Sequence, residues 1–183
     1  MRGEWFGYLN RAAGLHAATW PDAFGLMVGA LLDDAARWHT ALPDDEIRSA
    51  LHRHREALAQ VTTASLIHMD LWAANLFVDA AGGLTGVIDP ERAVWGDPLL
   101  EIVGADQLGR GIPAAELLDG YAGAGGRFAL GTAAGDTRLA LYRVYMSLVL
   151  LVEIAPRGFS GDWVAGHREA ATANLRAALD SLA

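Results

Sequence analysis

Cysteine is absent from the 183 residues. Disulfides and thiolate metal sites are therefore excluded, and the cytoplasm is the expected compartment. Lysine is absent too: all fourteen basic residues are arginine. Positive charge is scarce overall, with a formal net charge of −8 and a sequence pI near 5.1. Binding to a nucleic-acid backbone needs basic patches, so nucleic acid is not an expected partner. Nor is a membrane: the most apolar stretch, residues 139–154, is interrupted by Arg143 and is too short to span a bilayer. No signal peptide is read ahead of Arg2-Gly3-Glu4-Trp5. What is present is apolar enough for one ordered domain, 52% hydrophobic with mean hydropathy +0.20. No internal repeat or second-domain linker is visible.

Residues 1–18 read as a loop anchored by Trp5, Phe6 and Tyr8. Thr19-Trp20-Pro21-Asp22 has the chemistry of a helix start, with a capping hydroxyl, proline in the first turn and an acid after it. Phe24, Met27, Val28, Leu31, Leu32, Ala35 and Trp38 follow at helical spacing and are expected in the core. Pro43-Asp44-Asp45-Glu46 opens a second helix with Ile47, Leu51 and Leu58 inward. His52 and His54 on that helix are two apart, so they do not share a face and cannot jointly hold a metal. Further helices are expected at about 98–108 and 113–122. A glycine-rich link over 123–135 precedes a buried helix from Asp136, and a last helix begins at Ser160 or Asp162.

The informative stretch is His68-Met69-Asp70-Leu71-Trp72-Ala73-Ala74-Asn75. Strand-like Ala64-Ser65-Leu66-Ile67 leads in and Leu76-Phe77-Val78 leads out. After Gly82-Gly83 comes Leu84-Thr85-Gly86-Val87-Ile88, ending at Asp89. The last two runs read as a β-hairpin. It would hold Asn75 at one end and Asp89 at the other, with Asp70 on the loop before it. Three oxygen-bearing side chains gathered at one sheet edge suit hard cations and phosphate chemistry. His-x-Asp-x-x-x-x-Asn followed by a hairpin ending in Asp is the catalytic-loop pattern of kinase-like phosphotransferases.

With Trp95-Gly96-Asp97-Pro98 beyond it, the run resembles the aminoglycoside phosphotransferase and fructosamine kinase superfamily. The resemblance implies an α+β, mostly helical, protein-kinase-like C-terminal lobe in which a small β-hairpin carries the catalytic loop. It implies ATP and Mg²⁺ as cofactors and transfer of the γ-phosphate to a small-molecule hydroxyl. Asp70 takes the role of the base that orients the hydroxyl and accepts its proton; a turn-capping aspartate is the plainer alternative. Asn75 and Asp89 become the Mg²⁺ ligands, Asp89 having a hairpin-end turn residue as its alternative. His68 and Asp97 are expected to support the loop, Asp97 by accepting backbone N–H bonds that brace it. Glu91 and Arg92 would either pair together or line the acceptor pocket, and Pro90 to Pro98 would form a loop over the site. Gly96 is expected to supply a backbone shape that other residues resist.

Charge and composition qualify this reading. Between His68 and Asp106 stand seven acids (Asp70, Asp79, Asp89, Glu91, Asp97, Glu101, Asp106) and one base, Arg92. Such a segment suits a cationic acceptor and needs metal ions between it and a nucleotide. The missing lysine counts against a complete kinase, because the fold sets a strand lysine on the nucleotide phosphates. No G-x-G-x-x-G loop follows an early strand either. The amino-terminal nucleotide lobe is therefore expected to be absent from this chain, with Met1 falling inside the catalytic lobe. A non-catalytic half-kinase that self-associates or binds a partner lobe is the alternative. A metal-dependent hydrolase ranks third, for want of a histidine-rich or further acidic cluster.

Overall fold

The computed structural model describes residues 1–110 and 114–183. It is α+β: seven helices and two small antiparallel sheets among the described residues. The long helix α6 (Ala133–Val152) forms the core, with its apolar side chains buried nearly all round. Around it pack α7 (Trp163–Asp180), α4 (Leu99–Ala105), α1 (Trp20–Arg37) and α3 (Arg55–Ala59). Burial explains the composition of α6: a helix with no solvent face has no use for a polar stripe. No described helix is long and apolar enough to cross a membrane.

Helix α1 starts as its sequence dictates. Thr19 is the cap, its hydroxyl accepting from the Asp22 N–H, and Pro21 sits in the first turn. Phe24, Met27, Val28, Leu32 and Ala35 are buried, whereas Trp38 is exposed just past the helix end. Trp20, Phe24, Tyr142 and Tyr145 form an aromatic cluster with ring centroids 5.3–6.1 Å apart, joining α1 to α6. The Trp20 indole donates to the Tyr142 hydroxyl at 2.8 Å.

Several expectations need correction. The first eighteen residues are not a loop. They contain strands β1 (Phe6–Tyr8) and β2 (His16–Ala17), closed by a turn in which the Asn10 side chain accepts from the Ala12 N–H. Residues 90–98 are not a loop over the site either. A 3-10 turn (Pro90–Arg92) leads into β6 (Val94–Gly96), an interior strand of a four-stranded sheet ordered β2-β1-β6-β3, with β3 at Ser65–Ile67. Two and three residues are too short to show alternation, so the period that marks a strand could not appear. Gly96 serves close approach rather than backbone freedom: a Cβ there would lie 2.8 Å from the Trp20 ring. The second helix breaks at His54 into α2 (Asp44–Arg53) and α3, where Arg53 and His54 both donate to the Leu182 carbonyl, at 2.7 and 2.9 Å. Helix α6 begins before Asp136, with Thr132 as its cap. The helix expected from residue 113 is α5 (Ala115–Gly123); position 113 itself lies outside the described residues.

The hairpin forms as read. Strands β4 (Leu76–Val78) and β5 (Leu84–Val87) make their own two-stranded sheet, in register Leu76↔Val87 and Phe77↔Gly86. At its tip the Asp79 carboxylate accepts from Ala81 and Gly83 N–H at 2.9 and 2.8 Å, an Asx turn that explains Asp79 structurally.

Candidate active site

Two local devices present the Asp70 loop. Met69 adopts φ +65, in the left-handed region, and its side chain is fully buried. Asp89, at the far end of the hairpin, adopts φ +61. The third such non-glycine residue, His39, closes helix α1, an ordinary place for that conformation. The other two bracket the site, where such strain persists only if neighbours enforce it.

Glu101 enforces it at Met69. Its two carboxylate oxygens accept the consecutive backbone N–H groups of His68 and Met69, at 2.7 and 2.9 Å. Burial raises the Glu101 pKa above the usual carboxylate range, against the lowering effect of those two bonds. The folded state thus holds this proton more tightly than the unfolded chain. The favourable contribution of Glu101 protonation is complete below the unfolded pKa and is lost as pH rises through the folded one. Gly104, one turn further along α4, packs against the same segment: a Cβ there would sit 2.5 Å from the Met69 backbone. Gly104→Ala is therefore expected to destabilise the fold by about 1–3 kcal/mol, the usual range for overpacking. Urea denaturation would measure that loss, and amide shifts at Met69 and Asp70 would report the displaced loop.

Asp70 and Asn75 are brought together. The Asn75 amide Nδ2 donates to the Asp70 carbonyl at 2.9 Å and to Asp70 Oδ2 at 3.0 Å. Because both partners are acceptors, the NH₂ end must face them. Asn75 Oδ1 then remains without a hydrogen-bond partner among the described residues, although Asn75 is buried. Asp70 Oδ1 accepts from the Gln107 amide, and Arg92 Nη1 lies 3.8 Å from the same oxygen.

Asp89 is placed by the hairpin and not by a contact of its own. The Ile88 N–H donates to the Asn75 carbonyl at 3.1 Å, and the His68 imidazole Nε2 donates to the Ile88 carbonyl at 2.9 Å. Residue 88 is thus held from two sides, which sets Asp89 beside the Asn75 end of the ribbon. Its exposed carboxylate joins neither Asp70 nor Asn75 by a hydrogen bond or ion pair among the described residues. His68 accordingly ties the end of β3 to the hairpin exit.

The remaining expectations fare differently. Asp97 accepts one backbone N–H, from Leu99 at 3.1 Å, which starts α4 rather than bracing the 68–75 loop. Its other oxygen takes Arg138 Nε at 2.7 Å and the Tyr142 hydroxyl at 2.8 Å, all buried. The brace on the loop comes from Glu101. Glu91 and Arg92 do not pair with each other: Glu91 accepts from Arg157, and Arg92 donates to Glu153 at 2.7 Å. Sequence reasoning missed Glu101, Gly104, Gln107 and Glu153. Arg92 alone carried a signal, as the single base in an acidic segment.

Among the described residues no group of three His, Cys, Asp or Glu could hold a metal by itself. Mg²⁺ does not require one. It keeps several waters and takes one or two protein oxygens plus substrate phosphates. The amide oxygen of Asn75, to which no described residue donates, and the exposed carboxylate of Asp89, whose charge also acts on Arg157, are hard donors of that kind, so the residues fit the ion. Behind the loop, β3, α4 and α5 enclose a cavity of about 360 Å³ lined by Leu66, Leu71, Ile102, Leu117, Tyr121 and Phe128, largely apolar.

The overall arrangement matches solved structures. An apo thermostable mutant of the aminoglycoside phosphotransferase APH(4)-Ia superposes with a TM-score of 0.54 at 23% identity, covering 87% of this chain and 53% of that one. Another such mutant, in ternary complex with AMP-PNP and hygromycin B, gives 0.52 at 22% identity, covering 87% and 52%. At these identities the likeness concerns the fold. This chain spans about half the length of those proteins. No curated protein matches it. Residues 10–142 match the description "Phosphotransferase enzyme family", abbreviated APH. That match takes in the Asp70 loop, the hairpin and the Asp97 turn, and covers well over half of the sequence; the chain belongs to the phosphotransferase enzyme family.

Proposed function

We propose that this chain is the catalytic C-terminal lobe of an ATP-dependent small-molecule kinase. The observation that supports the proposal is the direct pairing of Asp70 with Asn75, whose carbonyl also takes the N–H of Ile88, the residue before Asp89. In this reading Asp70 accepts the proton of an acceptor hydroxyl as its oxygen attacks the γ-phosphorus. The bond to the β,γ-bridging oxygen breaks and ADP leaves. Asn75 Oδ1 and the Asp89 carboxylate would hold Mg²⁺, which would offset charge on the phosphates when bound. The acceptor lies between the loop and the surrounding helices. The acidic 68–106 segment favours a cationic acceptor such as an amino sugar, and the adjoining cavity accommodates an apolar part of it.

The chain contains no lysine, so in this reading a phosphate-binding lysine would have to be supplied by residues other than these. Leu66, Phe77, Val78, Leu84, Val87 and Ile88 are 38–63% exposed on and beside the hairpin. These side chains lie on both sides of the ribbon, and exposed apolar surface of that kind suits a covering lobe. It also supports the second reading, a half-kinase that binds a partner or itself without chemistry.

Calorimetric titration with Mg·AMP-PNP, with and without amine-bearing acceptors, tests the first reading. Weak saturable binding that is lost in Asp89→Asn supports it. Binding indifferent to both Mg²⁺ and Asp89 refutes it. Concentration-dependent association, measured by sizing, supports the second reading.

A further inference from the structure

Resting on the phosphotransfer reading for its chemistry, we infer that Glu153 is a positioning residue that holds Arg92 off the Asp70 carboxylate. Arg92 lies between two acids and has chosen one. Its Nη2 meets Glu153 Oε2 at 2.7 Å, while its Nη1 stops 3.8 Å from Asp70 Oδ1. That Nη1 is buried and has no hydrogen-bond partner among the described residues. Both carboxylates and the guanidinium are 13–14% exposed. A closed guanidinium–carboxylate pair brings N and O to about 2.7–2.9 Å, so the contact with Asp70 is an open one.

The open contact matters because Asp70 has few free lone pairs. Oδ2 already accepts from Asn75 and Oδ1 from Gln107. Closing Arg92 onto Oδ1 would occupy the position at which the hydroxyl proton must arrive. Glu153 prevents this by competing for the same guanidinium.

The placement of Glu153 itself needs explaining. It caps the C-terminal end of α6, where the helix dipole disfavours a negative charge. Two arginines compensate: Arg92, and Arg157, whose Nε meets the same Oε2 at 3.1 Å. Arg157 also donates to Glu91, the residue next to Arg92, so the short turn carrying Arg92 is held at both residues by the turn that follows α6.

Glu153→Gln keeps the shape and removes the charge. Its structure, by crystallography or NMR, is expected to show Arg92 closed on Asp70 at about 2.9 Å. Phosphate transfer, assayed with the nucleotide lobe supplied in a longer chain, is expected to show kcat at least about tenfold lower with acceptor KM unchanged. That is a fraction of the factor of about 10²–10⁴ that a base contributes. Adding Arg92→Gln to Glu153→Gln should restore much of kcat, because the competitor for Asp70 is then gone. A residue that merely supported the fold would give additive losses instead. An Arg92–Asp70 separation unchanged in Glu153→Gln overturns the inference, as does a closed pair with undiminished kcat. If no transfer occurs even in the longer chain, the phosphotransfer reading fails, while the structural comparison still decides what Glu153 does to Arg92.

Discussion

Asp70→Asn is expected to lower phosphate transfer by about 10²–10⁴-fold, the usual contribution of a positioned base, with the fold intact. The substitution keeps the volume and one acceptor. Asn75 Nδ2 can still donate to the remaining oxygen, and its bond to the residue 70 carbonyl is untouched. The new NH₂ would face Gln107, whose amide can rotate to present its own oxygen. Stability should therefore change by no more than about 1 kcal/mol, one hydrogen bond's worth. Single-turnover transfer and urea denaturation, run on the same preparation, separate the two effects. Retained transfer would remove Asp70 from the chemistry. A collapse in stability would return it to the turn-capping role that was its alternative.

The largest effect on stability is expected at Asp97. Asp97→Ala leaves the Arg138 guanidinium buried without its counter-ion and takes the acceptor from the Tyr142 hydroxyl and the Leu99 N–H. Breaking one side of a buried pair costs about 3–5 kcal/mol, a large share of the roughly 5–15 kcal/mol that holds a domain folded. Much of that cost is the stranded charge and not the lost bond. The double variant Asp97→Ala/Arg138→Met should therefore recover part of the loss. Equilibrium urea curves would show it, and a single-variant loss under about 1 kcal/mol would contradict the account. Burial and the neighbouring Asp97 charge also raise the Tyr142 pKa well above its ordinary value, so that hydroxyl remains a donor at any pH at which the fold survives.

Asp97 also shows where sequence reasoning stopped. Its place in a Gly-Asp-Pro turn identified it as important, but its partners come from α6, some forty residues away. No local pattern announces that Arg138 and Tyr142 will face it. Glu101 illustrates the same limit. An acid in the first turn of α4 is ordinary by helix rules, and only the packing of α4 on Met69 turns it into a clamp on the loop. What was legible depended on local chemistry: the capped start of α1, the nearly unbroken apolar run of α6, and the hairpin with its glycine turn. Strands β1, β2 and β6 escaped because two or three residues cannot display alternation and, unlike the equally short β3 and β4, they do not flank the 68–75 loop pattern. At the site, the spacing suggested that Asp70 and Asn75 stand near one another, but not that the Asn75 amide would bond Asp70. The guanidinium between Asp70 and Glu153 depended on how the 3-10 turn after Asp89 meets the end of α6.

The central claim is that Asn75 and Asp89 together take a divalent ion beside Asp70. Paramagnetic broadening by Mn²⁺ with AMP-PNP, read on assigned NMR signals, tests it most directly. The account predicts that the Asn75 side-chain amide and the Asp89 backbone broaden at the lowest metal concentration, and that Asp89→Asn abolishes the effect. Broadening that begins instead at the Asp79 hairpin tip, or that survives loss of the Asp89 carboxylate, would contradict it.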